Sequence, residues 1–159
     1  MTDMLVKLYN LPPLEPHLAV QTGHAITLRR AITPEKHHVI AWVRHHFSEF
    51  WASETDVGFS RQPPSIWLAT LNESLIGFAC WETTARGFLG PMGVTEPARG
   101  RGTGAALLLA ALHDMRAHGY VYGVIGGVGP AEFYERVCGA TIIPDSTPGG
   151  YAGMLRKSD

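Results

Sequence analysis

Val94-Thr-Glu-Pro-Ala-Arg-Gly-Arg-Gly-Thr-Gly-Ala105 is the stretch on which the reading of this chain turns. An apolar run, Phe88 to Val94, leads into it, and an alanine- and leucine-rich run that must be a helix leads out. Between them Gly100, Gly102 and Gly104 alternate with Arg101 and Thr103, with Arg99 in front. Glycines let bare backbone approach a ligand in unusual dihedrals, and the first turn of the following helix offers unpaired amides with partial positive charge. Two guanidinium groups add full charges. A strand that hands over to a helix through such a loop is a cradle for a phosphate-bearing ligand.

Working outward, the helix runs from Thr103 to His118 and is stopped by Gly119. Upstream, Leu75 to Glu82 pairs with Ile66 to Leu71 as a hairpin turning at Asn72-Glu73. His24 to Ala31 reads as a strand. Thr33-Pro34-Glu35 opens a helix by hydroxyl capping and a first-turn proline. In that helix Val39, Ile40, Val43, Phe47, Phe50 and Trp51 form one apolar stripe. Ala52 to Pro64 is a loop or short second helix. Downstream come a short strand at Tyr120 to Ile125 and a helix from Ala131 to Val137 behind Pro130. Two last strands are expected at Ala140 to Ile143 and Gly150 to Leu155. Leu11-Pro12-Pro13 and Pro16 forbid regular hydrogen bonding and predict an extended arm over residues 1–22, ahead of one domain over 23–159. The fold class is mixed α/β: mostly antiparallel strands, flanking helices and one strand-helix-strand unit at the centre.

The 159 residues suffice for a single core, 45% of them are hydrophobic, and the net charge is −1. This balance argues against a nucleic-acid partner. No apolar stretch is long enough to span a bilayer, and residues 1–23 lack the pattern of a secretion signal, so a cytoplasmic, membrane-free protein is expected. Cys80 and Cys138 have neither metal spacing nor disulfide density and read as packed thiols. His37-His38 and His45-His46 lack the i, i+4 geometry of a helical zinc pair, so no metal is expected.

Two segments carry a resemblance to a known family. Val94 to Ala105 resembles the pyrophosphate motif of the GNAT superfamily of acetyl-CoA-dependent N-acyltransferases, Arg/Gln-x-x-Gly-x-Gly/Ala with a valine five places earlier. Glu132-Phe-Tyr-Glu-Arg136 before Gly139-Ala140 resembles that family's Phe-Tyr-Glu-Lys helix. The order of elements from His24 to Leu155 fits as well. The resemblance implies a GNAT fold with a splayed strand pair, and an N-acetyltransferase that moves an acetyl group from acetyl-CoA to a primary amine by direct attack. It implies that the amides of Arg101, Gly102, Thr103, Gly104 and Ala105 hold the pyrophosphate, with Gly100 in the loop and Arg99 and Arg101 near its charges. The pantetheine arm would bond the backbone of Met92 and Val94 in the strand gap. There Pro91 and Gly93 suit a bulge whose amide can polarise the thioester oxygen. Tyr134 matches the tyrosine that protonates or hydrogen-bonds the departing thiolate. Dimerisation is common in such folds.

An alkylamine of pKa near 10.4 is neutral in only about one molecule in 2,500 at pH 7, so a base is expected. Glu82 is the first candidate, with Glu54 and Asp56 behind it. The chain departs from the family at Gly127, where an asparagine is usual, and at Ala140, where an aromatic is usual. A small-molecule amine is favoured over a protein as acceptor. Two other readings stand beside this one: a module that binds acyl-CoA without turning it over, and a nicotinamide-dependent enzyme, since Gly100-x-Gly102-x-x-Ala105 also satisfies a loose dinucleotide pattern.

Overall fold

Leu75-Ile-Gly-Phe-Ala-Cys-Trp81 is apolar at every position, the pattern of a strand covered on both faces. In the computed structural model, which describes residues 1–156, this segment lies inside a seven-stranded sheet. Chain order is β1 (Met4–Lys7), α1 (Glu15–Gly23), β2 (Ile26–Arg30), α2 (Lys36–His46), α3 (Glu49–Gly58), β3 (Ile66–Leu71), β4 (Ser74–Trp81) and β5 (Phe88–Val94), then α4 (Thr103–Ala117), β6 (Tyr122–Ile125), α5 (Ala131–Cys138) and β7 (Thr141–Ile142). The sheet order is β2-β3-β4-β5-β6-β1-β7, and only β5 and β6 run parallel.

Alternation along β4 splits the core in two. Phe78 and Cys80 pack with Val39, Val43 and Ala52 of α2 and α3, while Ala79 and Trp81 join Leu107, Leu108 and Leu112 of α4 on the opposite face. Each fully buried leucine contributes about 1.5–3 kcal/mol, so α4 is anchored far more firmly than propensity alone would hold it. Against that anchor the glycine loop at its N-terminus has a fixed position.

The structure corrects four expectations. Residues 1–22 are not an arm: Met4, Val6 and Leu8 are fully buried, and β1 pairs antiparallel with β6 on one side and β7 on the other. Pro16 does not exclude a helix there, because it sits in the first turn of α1, where its missing N–H costs nothing. The single stripe from Val39 to Trp51 is two helices, broken at Phe47 and restarted by Ser48, whose hydroxyl accepts from the Trp51 amide at 3.1 Å. Gly150 to Leu155 forms no strand, since β1 already fills the slot beside β6. The last three residues of the expected 23–159 domain lie outside the described residues.

Candidate active site

The parallel pairing of β5 with β6 is confined to Phe88 opposite Val124 and Leu89 opposite Ile125. Past that point β6 ends, whereas β5 continues along β4 to Val94. Between Leu89 and Met92 β5 carries one residue more than its partner, a bulge at Gly90-Pro91 whose Gly90 carbonyl accepts from the Thr83 hydroxyl at 2.9 Å. The Thr95 amide bonds the Ile76 carbonyl of β4 at 2.9 Å. By strand alternation the amides of Val94 and Met92 point the other way, into the space β6 has vacated. The Val94 carbonyl on that side accepts from the Arg99 guanidinium at 3.1 Å.

The gap leads directly to the glycine loop. Gly100 and Gly102 adopt left-handed dihedrals, φ +83° and +75°, which ordinary side chains adopt only at a cost. The first α4 bond runs from the Ala106 amide to the Gly102 carbonyl at 3.1 Å, so the amides of Thr103, Gly104 and Ala105 have no partner within the helix. The loop itself is held from α1. Gln21, 1% exposed, donates through Nε2 to the Arg101 carbonyl at 2.8 Å and accepts through Oε1 from the Thr103 hydroxyl at 2.7 Å.

Gap and loop open into one cleft of about 2180 Å³. Met92, Val94, Arg99, Gly100, Gly102, Thr103, Gly104 and Ala105 line it, and so does Tyr134. Gly93 does not: a Cβ there would lie 2.6 Å from the Phe47 ring, so this glycine exists to seat an aromatic from the other layer. Arg101 is also absent from the lining. Tyr134 is 9% exposed, and its phenol is pushed above its ordinary range by burial, with a smaller push from Cys138.

Glu82 departs furthest from expectation. Its backbone is left-handed at φ +56°, and its carboxylate meets Arg61 at 2.5 Å and the Gly87 amide at 3.3 Å, off the cleft. Asp56 pairs with Lys36 at 2.6 Å, also off the cleft. Glu54 is the carboxylate that lines it. Its Oε1 accepts from the Thr84 hydroxyl at 2.5 Å, and among the described residues it has no cationic partner. Burial raises its pKa, and the Thr84 bond only partly offsets this.

Two further groups went unread in the sequence. Tyr151, in the segment expected as a strand, reaches over the end of β6, where a Cβ on Gly126 would sit 2.7 Å from its hydroxyl and 2.9 Å from the Phe88 ring. Asp3 accepts from the Gly127 amide at 2.8 Å, so this glycine, where the resemblance leads one to expect an asparagine, is held by a carboxylate just ahead of β1. No local sequence signal marks either contact, because each joins residues more than a hundred positions apart or meets only bare backbone.

A family model described as Acetyltransferase (GNAT) family matches residues 26–140. No curated protein matches the chain in sequence. Among solved structures, it is similar to the GCN5-related glucosamine N-acetyltransferase region of a fungal multi-domain GH3 β-N-acetylglucosaminidase: TM-score 0.73, 17% identity, covering 89% of this chain and 19% of that one. A GCN5-related N-acetyltransferase from Sphaerobacter thermophilus gives TM-score 0.63 at 21% identity, over 89% of this chain and 48% of the other. One from Kribbella flavida gives 0.55 at 17% identity, over 98% and 60%. At these identities the likeness is one of fold, and the chain spans less than two thirds of the length of each.

Proposed function

This chain belongs to the acetyltransferase (GNAT) family, and on that premise we propose that it carries an acetyl group from acetyl-CoA to the primary amine of a small molecule by direct attack. The observation that carries the proposal is the continuity of the cleft: free helix amides at one end, an unpaired strand edge in the middle, and Tyr134 and Glu54 on its walls.

The amides of Thr103, Gly104 and Ala105, with Gly102 ahead of them, receive the pyrophosphate at the positive end of α4. Met92 and Val94 pair with the pantetheine arm as a strand would, which aims the thioester along β5 towards the bulge. Glu54 takes the place first assigned to Glu82: it faces the cleft with no ion-pair partner among the described residues, so an incoming ammonium is its natural partner and proton donor. The neutral amine then forms the carbon–nitrogen bond as the carbon–sulfur bond breaks, the Tyr134 phenol hydrogen-bonds the departing thiolate, and the proton shed by the acylated nitrogen goes to that thiolate, which leaves as the CoA thiol. No acyl-enzyme is involved. Cys80 and Cys138 are buried, with thiols pushed up to about 12 and about 11 chiefly by burial, the reverse of an activated nucleophile.

Calorimetric titration with CoA tests the cradle. Wild type is expected to bind and Gly102→Leu to lose binding, since a side chain at φ +75° is strained and its outer atoms crowd Gln21 and Val20 of α1, which hold the loop. Equal affinity in the variant would refute the assignment. CoA binding without acetyl transfer to any of a broad panel of primary amines would leave the non-catalytic module as the better reading.

A further inference from the structure

Gln21 is the most deeply buried polar side chain that touches the cleft and that no catalytic step employs. Both ends of its amide are spent on the glycine loop, one on the Arg101 carbonyl and one on the Thr103 hydroxyl. It comes from α1, which the family match over residues 26–140 does not include. We propose that Gln21 is the positioning residue of the pyrophosphate site, fixing the direction of the loop amides so that α1 governs coenzyme affinity; this rests on the acetyl-CoA reading above.

The argument is one of peptide geometry. The Arg101–Gly102 bond is trans, so its carbonyl and its N–H point in opposite directions. Drawing the Arg101 carbonyl towards α1 therefore turns the Gly102 amide away from α1. A left-handed glycine has no side chain of its own to fix that plane, which would otherwise sample several orientations. Gln21 lies against it, Nε2 standing 3.5 Å from where a Gly102 Cβ would be. The second bond does equivalent work one residue on. By accepting from the Thr103 hydroxyl, Gln21 turns that side chain towards α1 and off the anion's approach. Only an uncharged amide serves both contacts: a methionine satisfies neither, and a glutamate accepts from Thr103 but cannot donate to Arg101 and brings negative charge to an anion site.

The test compares wild type, Gln21→Met, Gln21→Glu and Thr103→Val with two probes, each under conditions where denaturation curves show the variant folded. CoA is titrated calorimetrically, and S-acetylpantetheine, which lacks the pyrophosphate, is followed by saturation-transfer NMR, which reads millimolar affinities. The expected result is a rise in the CoA dissociation constant of about tenfold for Gln21→Met and more for Gln21→Glu, with S-acetylpantetheine binding held within about twofold. Thr103→Val, should the Gln21 variants fail to fold, is expected to show the same selective loss on a smaller scale. Equal weakening of both probes, or no weakening of CoA, overturns the proposal. Wild type that binds neither probe overturns the acetyl-CoA reading, and this inference with it.

Discussion

Asp114, buried, and Glu54, half-buried, are both carboxylates drawn out of bulk water, and they have opposite fates. Asp114, on α4, faces the Arg30 guanidinium through two bonds of 2.6 and 2.8 Å, with the indole N–H groups of Trp81 at 2.9 Å and Trp67 at 3.3 Å completing its shell. Burial pushes its pKa up, but the bonds from Arg30 and Trp81, the Arg30 charge and the Trp67 bond outweigh it, and the group titrates below its ordinary range. Glu54 receives one hydroxyl bond, and burial wins. A carboxylate whose lone pairs are all spoken for within the fold holds the fold together. One left short of partners on the wall of a cleft is poised to take them from a ligand.

The largest effect expected from this contrast is on stability. Asp114→Ala leaves Arg30, a quarter exposed, over the Trp67 ring without its carboxylate partner, and is expected to cost about 3 kcal/mol in urea denaturation. Acetyl transfer per folded molecule should be unchanged, because Asp114 does not line the cleft. A loss below 1 kcal/mol, or a kinetic defect that survives correction for the folded fraction, would place Asp114 in the wrong category.

Glu54→Gln is expected to do the reverse: a fall of about a hundredfold in kcat/KM near neutral pH, the ordinary scale of a lost general base, with the fold intact. The pH dependence carries opposite signs at the two sites. Asp114, depressed, contributes stability that is present above the usual aspartate range near 4 and lost as pH falls through its folded pKa. Glu54, raised, opposes folding once ionised, so the glutamine variant should gain on wild type as pH climbs from about 4 through the raised value. Over the same interval wild-type activity should rise as the base ionises, and the variant should lose that limb of its profile. An E54Q profile that keeps the limb would remove Glu54 from the chemistry.

How far the sequence reveals this contrast depends on the range of the contacts. The boundaries of β5 and the start of α4 are those read from apolar runs and glycines, because both are decided by neighbours in the chain. The left-handed glycine turn that leads into α4 is legible for the same reason. β1 was not, although Met4, Val6 and Leu8 alternate as a half-buried strand must; three prolines close behind outweighed a four-residue signal. That Glu82 turns off the cleft lay beyond reach, since it goes with one left-handed backbone at Glu82, whose carboxylate meets Arg61. Equally, Ser48 restarts the helix that carries Glu54 to the cleft, and a capping serine beside an unbroken apolar stripe does not by itself say where one helix ends.

Tyr134 sharpens the comparison at its smallest scale, as a group that burial acts on as it does on Glu54 but with a proton it already keeps. Giving that proton outright to a thiolate of pKa about 8.5 runs uphill by roughly 2 kcal/mol for an ordinary tyrosine. Burial raises the phenol further and so makes the transfer harder, while leaving a neutral donor that persists across the working pH range. A hydrogen bond is what such a group can offer. Tyr134→Phe is therefore expected to lower kcat about tenfold, with CoA affinity within about twofold of wild type and the same ratio at pH 6 and pH 9. A ratio that widens steeply with pH would mean that the phenol does surrender its proton, and that its environment in the loaded enzyme lowers a pKa which the walls of the cleft alone would raise.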